Sequence, residues 1–355
     1  MRLTVCRFAA SLCLLMVSFT ALALIDTDEW WIRVLDFPRV QISAVLVLVL
    51  VVYWSFSRGG PVSYVIIGAS AISLVWQVWL IIPYTPVWTK QMASASGCEP
   101  QQRVRFLIAN VYQKNRDAGV LLSLVKQTDP DVILLTEIDE QWERDVSSLK
   151  GQYPATVLEP LSNTYGMGLY SRLSLKNARV RYLVENDIPS IQVTITLRDG
   201  TEFAMWGVHP IPPQPKEDTD ERDAELLLVA KDVSSASGPA VVAGDLNDVA
   251  WSSTTALFQR ISGLLDPRIG RGLYVTFNAR WPLLKWPLDH LFASKEWTLV
   301  EFQRLHDIGS DHFPIFVELC HEPQAAARQK GKPASPDDVQ KAEEHIEEGR
   351  KAVRE

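Results

Sequence analysis

A carboxylate and a carboxamide suited to phosphate chemistry follow a short apolar segment in the second half of the sequence. The run 239–243 leads into Gly-Asp-Leu-Asn-Asp, which contains Asp245 and Asn247. These residues are two positions apart, so they face the same way if the extended conformation continues. The carboxylate can orient or deprotonate a metal-bound water, and the carboxamide can donate to a phosphoryl oxygen. A plain turn is the alternative, because glycine, aspartate and asparagine dominate turns.

Side chains of the same chemical type stand at the ends of other predicted strands. In chain order they are Asn110, Glu137, His209 and Asp289, and the series closes with Asp311 and His312. This order resembles the endonuclease/exonuclease/phosphatase superfamily, which includes abasic-site endonucleases, DNase I, sphingomyelinases and inositol polyphosphate 5-phosphatases. The resemblance covers about residues 103–319. It implies a divalent-metal-dependent hydrolase of phosphoric esters, in the phosphodiesterase, phosphatase or nuclease class.

The resemblance also implies a metal site. Glu137 matches the metal-binding glutamate of the superfamily, and Asn110 and Asp311 are expected near the same ion. Oxygen ligands of this kind favour Mg²⁺ or Mn²⁺, with water completing the coordination. A structural alternative remains for Glu137, which could simply begin the next helix. The segment around Asp311 could likewise be a loop with a turn.

The remaining residues of the series receive catalytic roles from the same resemblance. Asp245 would orient or deprotonate the attacking water, and Asn247 would bind a phosphoryl oxygen. His312 would contact the phosphate, while Asp289 holds its ring in the useful tautomer. His209 matches a position where members of the superfamily carry a phosphate-facing histidine or tyrosine. Together these five residues form the predicted catalytic set.

One structural alternative and one functional alternative limit this interpretation. His290 directly follows Asp289, and strand alternation turns it to the opposite face, so we interpret it as a core residue. A catalytically silent binding module that merely keeps the fold is the competing functional class. The complete set of ligand-type residues argues against a silent module, because a module without activity has no need of all of them.

Alternating helix and strand patterns indicate an α/β fold for residues 98–321. Strand patterns at 103–111 and 132–136 flank a helical pattern at 117–128, and a long helical pattern occupies 218–235. The resemblance implies a four-layer α/β sandwich of the DNase I-like type, with the active site at one end of two packed sheets.

The first 97 residues have the character of a membrane region. Apolar stretches without charged side chains occupy about residues 8–25, 40–56 and 61–82. Each is about as long as a helix that crosses a hydrocarbon core of roughly 30 Å. Three such stretches in succession make a soluble core improbable. We therefore predict three transmembrane helices and a lipid bilayer as a partner.

The charges of the short loops predict the orientation. Arg2, Arg7 and Arg58 lie on one side of the predicted spans, whereas the loop 26–39 on the other side is mostly acidic. The positive-inside tendency then places the chain after the third span outside the cytoplasm. Residues 1–25 also resemble a signal peptide. Its removal would leave two spans that start outside, so the chain after the last span would still lie outside the cytoplasm. We expect a multi-pass protein of the bacterial inner membrane with an extracytoplasmic catalytic domain.

Charge and cysteine content argue against two classes of protein, although a local basic groove could still exist. The formal net charge of −7 does not favour a general nucleic-acid binder. The four cysteines lack the spacing of a zinc site. The resemblance places the first and last strands of the domain near each other, so Cys98 and Cys320 could pair in an oxidising compartment, the alternative being two free thiols.

Two further segments have predicted structural roles. The proline-rich run 209–215 is expected to form a stiff loop beside the site, with a plain connector as the alternative. Residues 322–355 are charged and lack an apolar stripe, so we predict a mobile tail without a catalytic part.

The predicted location narrows the choice of substrate. We expect hydrolysis of a phosphoester or pyrophosphate at the outer face of the membrane, because tethering raises the local concentration only for a substrate held there. A lipid-linked phosphorylated substrate fits this expectation. An extracytoplasmic nuclease is the alternative enzyme, so nucleic acid is a possible but less favoured partner.

Overall fold

The computed structural model describes residues 1–215 and 218–354 of the chain. The α-helices are α1 (Arg2–Leu22), α2 (Trp30–Arg33), α3 (Arg39–Phe56), α4 (Pro61–Ile81), α5 (Ala118–Thr128), α6 (Glu140–Asp145), α7 (Asp220–Ser235), α8 (Ser253–Ser262) and α9 (Pro336–Ala352). The strands are β1 (Arg103–Asn110), β2 (Val132–Thr136), β3 (Ala155–Glu159), β4 (Met167–Ser171), β5 (Ser174–Tyr182), β6 (Pro189–Thr196), β7 (Glu202–Val208), β8 (Ala240–Asp245), β9 (Asp289–Ala293), β10 (Trp297–Arg304) and β11 (Ile315–His321).

The strands form two sheets. The first has the order β10-β11-β1-β2-β4-β3, and the second has the order β5-β6-β7-β8-β9. β1 runs parallel to β2, and β7 runs parallel to β8. Parallel neighbours end at the same edge of a sheet. The two sheets therefore each present the carboxyl ends of two adjacent strands at one edge.

The two sheets pack face to face around a common core. Phe106 and Val317 of the first sheet share one buried cluster with Met205 and Val241 of the second. β2 is buried along its whole length, as an apolar strand covered on both faces should be. α5 and α6 cover the outer face of the first sheet, and α7 and α8 cover that of the second. The predicted four-layer α/β sandwich of the DNase I-like type is confirmed.

The N-terminal helices α1, α3 and α4 pack against one another. All three are long and apolar enough to cross a membrane, by length and composition. α1 begins at Arg2, earlier than the predicted apolar stretch. Hydrogen bonds between polar side chains join the helices: Gln77 of α4 donates to Thr20 of α1 at 3.0 Å, and the Tyr53 and Ser63 hydroxyls of α3 and α4 lie 3.0 Å apart.

The segment between α1 and α3 docks on the sandwich. Arg33 donates to the Thr254 hydroxyl at 2.7 Å and lies 3.4 Å from the Asp223 carboxylate. The indole of Trp251 donates to the carbonyl of Asp36 at 2.7 Å. These buried polar contacts fix the orientation of the sandwich relative to the ends of the apolar helices.

The first and last strands of the sandwich are joined covalently. β1 and β11 are antiparallel neighbours, with Arg103 opposite Cys320. Cys98, just before β1, forms a disulfide with Cys320, and their Cα atoms are 6.1 Å apart. The predicted pairing is confirmed in the structure.

The prediction of a mobile tail is corrected over the described residues 322–354. They include α9, whose Ala342 and Ile346 are buried against Leu227 of α7 and Leu257 of α8. Two apolar side chains four residues apart make a stripe too narrow to stand out from the surrounding charges in the sequence. The tail is therefore a docked helix on the outer layer of the second sheet.

Candidate active site

Residues from the first sheet reach the second at the edge where β1 and β2 end. Asn110 is the last residue of β1 and lies opposite Thr136, the last residue of β2, so Glu137 follows beside it. The carboxamide nitrogen of Asn110 donates to Glu137 at 2.9 Å and to Asp245 of the second sheet at 3.1 Å. Asn110 thus links two carboxylates that are more than a hundred residues apart in sequence.

In the second sheet, three strands place polar residues at the same edge. Asp245 ends β8 and lies opposite Asp289, which begins the antiparallel strand β9. His209 follows β7, and its Nε2 atom is 3.8 Å from the Asp245 carboxylate. A side chain at Gly244 would collide with the carbonyl oxygen of Val208, so only glycine lets β7 and β8 come together here.

His312 completes this group from the loop before β11. Its Nδ1 atom donates to Asp289 at 2.7 Å, and its Nε2 atom lies 3.5 Å from the Asp245 carboxylate. Burial opposes protonation, but the two carboxylates outweigh it and raise the pKa of His312 to about 10. The hydroxyl of Ser310 holds the loop by donating to the Asn110 carbonyl at 2.8 Å and accepting from the His312 amide at 3.0 Å.

Asn247 reaches the site through a turn. Its φ of 48° lies in the left-handed region, so the extended conformation considered above does not continue past Asp245. The amide N–H of Asn247 donates to the Asp245 carboxylate at 3.0 Å, and its carboxamide nitrogen donates to the carbonyl of Pro210 at 2.9 Å. The turn that was considered as an alternative to a site is therefore present, and it contributes Asn247 to the site. The proline-rich loop 209–215 lies beside Asn247.

The predicted metal ligands suit a cation. One oxygen of Glu137 accepts from the Asn110 carboxamide, and the other accepts from the Gln113 amide at 3.0 Å. Burial raises the pKa of Glu137 and the nearby Asp311 charge raises it further, although the hydrogen bonds lower it. The Oδ1 atom of Asp311 is buried without a hydrogen-bond partner among the described residues. Two half-buried carboxylates and a carboxamide are a donor set that a hard divalent cation satisfies.

Two other buried polar atoms at this edge lack a partner within the described part of the chain. They are Oδ1 of Asp289 and Nδ1 of His209. Burial lowers the pKa of His209 despite the nearby Asp245, which favours the neutral ring. Buried polar atoms are ordinarily satisfied, so these positions suggest a site that is completed by a ligand.

The structure brings the predicted residues together. Hydrogen bonds and ion pairs link Glu137 to Asn110, Asn110 to Asp245, Asp245 to His312, and His312 to Asp289. His209 lies beside Asp245. Asn247 joins through its backbone, and Asp311 adjoins His312 in the chain. His290, which we excluded, points away and bonds to Arg268 and to the Asp248 carbonyl.

Sequence reasoning missed three contributors to the site. The Gln113 amide contacts Glu137, the Tyr165 ring lies 5.4 Å from the His209 ring, and the Phe277 ring lies 4.9 Å from the His312 ring. No sequence signal identifies the aromatic pair, because both residues lie outside the strands.

Comparison with solved structures shows that other proteins share this fold. A humanised zebrafish (D. rerio) TDP2 superposes with a TM-score of 0.53 at 15% identity, over 61% of this chain and 99% of that one. An endonuclease/exonuclease/phosphatase from Bacteroides vulgatus gives 0.52 at 16% identity, over 62% and 99%. The human nocturnin catalytic domain with bound sulfate gives 0.51 at 16% identity, over 62% and 94%. At these identities the likeness establishes the fold alone.

Sequence comparison identifies the family. No curated protein sequence matches the chain. The model of the Endonuclease/Exonuclease/phosphatase family, however, matches residues 107–312. This range contains all eight predicted site residues, and its last residue is His312. The chain therefore belongs to the endonuclease/exonuclease/phosphatase family and is a divalent-metal-dependent phosphoric ester hydrolase.

Proposed function

We propose that the protein is a membrane-anchored hydrolase of phosphoester or pyrophosphate bonds that acts at the outer face of a bacterial inner membrane. The observation that carries this proposal is the double hydrogen bond of Asn110, which joins Glu137 of the metal site to Asp245 of the catalytic set. One pocket edge thereby combines cation ligands, a base and an imidazolium, which is the set that phosphoryl transfer to water needs.

Glu137, Asn110 and Asp311 would hold Mg²⁺ or Mn²⁺, which would neutralise the charge that develops on the phosphoryl oxygens and the leaving group. Asn110 also keeps the Glu137 and Asp245 carboxylates at a fixed separation through its two N–H groups. Removing Asn110 would therefore disturb both parts of the site.

The catalytic set divides the remaining work. Asp245 has the position to orient water and accept its proton, since the Asn247 amide and two histidines hold its carboxylate. His312, kept protonated by Asp289 and Asp245, presents positive charge to a phosphoryl oxygen. Neutral His209 and the Asn247 carboxamide supply uncharged donors beside it.

Three observations support the proposed location. The helices α1, α3 and α4 have the length and composition of membrane spans. The segment between α1 and α3 docks on the sandwich, so the segment and the sandwich lie on the same side of the membrane. Three spans require this, because the segment follows the first span and the sandwich follows the third. The disulfide between Cys98 and Cys320 suits an oxidising compartment, and the basic residues near the opposite helix ends suit the cytoplasmic side.

A substrate held at the membrane surface fits this arrangement, because the anchor gives it a high effective concentration. We propose a lipid-linked phosphate or pyrophosphate. One solved relative, zebrafish TDP2, was crystallised with a single-stranded DNA product, so nucleic acid belongs in any substrate panel.

The test uses the full chain purified in lipid nanodiscs with Mg²⁺ or Mn²⁺. A generic bis-aryl phosphate reports hydrolysis, and a panel of phospholipids, prenyl pyrophosphates, nucleotides and DNA reports the substrate class. We expect Glu137→Ala and His312→Ala to abolish hydrolysis of every substrate. The matched controls Glu140→Ala and His306→Ala change exposed residues and should keep wild-type rates.

Two results would contradict the proposal. Equal rates for the wild type and both site variants would indicate a silent binding module. Brisk cleavage of plasmid DNA, with every lipid phosphate left intact, would instead support an extracytoplasmic nuclease.

A further inference from the structure

An apolar cleft lies between the segment that follows α1 and the irregular segment before β9. Its volume is about 460 Å³, which is within the range of about 300–1,000 Å³ for small-molecule sites. Its lining includes Val34 and Phe37 from the first segment and Leu284 and Trp286 from the second, and the rings of Phe37 and Trp286 are in edge-to-face contact at 5.8 Å. Apart from Asn247, every lining residue is valine, leucine, phenylalanine, proline or tryptophan. Among the described residues, no charged side chain lines this cleft, so it suits an uncharged, apolar group.

The cleft adjoins the candidate active site. Asn247, which we place against a phosphoryl oxygen, lines it. Phe277 also lines it, and its ring lies 4.9 Å from the ring of His312. Leu288 lines it one residue before Asp289. A molecule whose phosphate reaches His312 therefore has the cleft beside its phosphate group.

The cleft also lies at the level where the apolar helices begin. Gln41, in the first turn of α3, donates to the carbonyl of Leu283 at 3.0 Å. The loop 280–286 that this bond holds exposes 61% of Trp281, 80% of Leu283 and 43% of Leu284. Adjacent exposed apolar side chains mark an interaction surface, and tryptophan is enriched at membrane interfaces. Leu284 belongs both to this exposed loop and to the lining of the cleft, so the cleft adjoins the apolar surface that would meet the membrane.

We propose that the cleft binds the first methylene groups of the hydrocarbon chain of an amphiphilic phosphate substrate. The inference rests on the proposed function and names the substrate class for the same site. The apolar walls receive the chain as it leaves the membrane, while Asn247 and His312 receive the phosphate. A nucleotide would instead place a polar base and sugar against walls that offer them almost no hydrogen-bond partners.

Chain-length dependence of binding is the measurable consequence. Water-soluble alkylphosphonates, from methyl to hexyl, present a phosphate-like head with a growing chain and are not hydrolysed. Each buried methylene should tighten binding about four-fold, which is the equivalent of about 0.8 kcal/mol. Dissociation constants are measured by calorimetry on the full chain in nanodiscs with Mg²⁺.

Leu284→Asp is the test variant, because its side chain is partly exposed and the fold does not depend on its burial. The variant places a charge in the cleft. We expect it to abolish the dependence on chain length, which is compared within each variant so that a uniform repulsion of the phosphonate head by the new charge cancels. Val300→Asp is the matched control: Val300 is exposed to 37% on β10 and does not line the cleft. It should keep the wild-type dependence, and it corrects for partitioning of the probes into lipid.

The outcomes separate the two proposals. A wild type with equal affinity for methyl- and hexylphosphonate overturns the inference, as does a Leu284→Asp variant whose chain-length dependence equals that of the control. Chain-dependent binding that Leu284→Asp abolishes supports the inference even if no lipid phosphate is hydrolysed. In that last case the proposed function fails and the cleft assignment stands.

Discussion

Consecutive residues of β9 take part in two histidine networks with opposite properties. Asp289 faces the active site and accepts from His312, whose pKa rises to about 10. His290 faces the other side, where its Nδ1 atom accepts from Arg268 at 2.6 Å and its Nε2 atom donates to the Asp248 carbonyl at 2.9 Å. Burial and the Arg268 charge lower the pKa of His290 well below its usual value.

The difference lies in how completely each network is satisfied. Arg268 forms a two-pronged ion pair with Asp266, at 2.9 and 2.7 Å. Among the described residues, every buried side-chain nitrogen and oxygen of Arg268, Asp266 and His290 has a hydrogen-bond partner. The network of Asp289 and His312 includes an unpartnered oxygen and adjoins the unpartnered atoms of His209 and Asp311. A closed network serves stability, whereas an open one is available to a ligand.

The largest effect should follow from changing the open network. Asp245→Asn removes the proton acceptor, so we expect kcat to fall by about 10²–10⁴ with the bis-aryl phosphate. Thermal stability should fall by less than in the Arg268→Met variant, because the substitution preserves shape and loses only one acceptor oxygen. Rate assays and a melting curve on the same preparation measure both. A fall of less than tenfold would remove Asp245 from the catalytic set.

A smaller effect, on unfolding free energy rather than on kcat, should follow from removing a partner from the closed network. Arg268→Met leaves Asp266 buried without its partner, which costs about 3–5 kcal/mol of unfolding free energy. The folded fraction should keep kcat within a few-fold of the wild type. Denaturant titration of the full chain measures the loss, with the exposed Arg144→Met as control. A stable Arg268→Met variant without activity would mean that this network also belongs to the catalytic machinery.

The smallest effect should come from His290. His290→Phe keeps an aromatic ring but leaves the Asp248 carbonyl and an Arg268 N–H short of one partner each. We expect a loss of about 1–3 kcal/mol in unfolding free energy and unchanged kcat. His306→Phe, at an exposed position, should change stability by less than about 0.5 kcal/mol. A strong fall in kcat for His290→Phe alone would contradict the separation of the two networks.

The sequence was informative where a short-range rule applies. Strand alternation separates Asp289 from His290, and the structure places them on opposite faces. The apolar runs that precede Asn110, Glu137 and Asp245 identify strand ends, and strand ends meet at one sheet edge because of the parallel pairs. These rules explain why residues distant in sequence were expected together.

Features that depend on distant partners escaped the sequence. The helix α8 and the strands β3 and β10 were not predicted, because each is stabilised by neighbours that sequence periodicity does not reveal. The docking of α9 depends on a groove between α7 and α8. The conformation of Asn247 depends on its hydrogen bonds to Asp245 and Pro210, which override the extended pattern.

The most direct test of a single hydrolytic site is a crystal structure with Mn²⁺ and phosphate, in which anomalous scattering locates the metal. We expect one manganese peak bounded by Glu137 and Asp311, with the phosphate in contact with His312 and Asn247. The chain offers a competing carboxylate and histidine cluster at Asp28, Asp223 and His345. Manganese there, with neither metal nor phosphate at Glu137 and His312, would contradict the account.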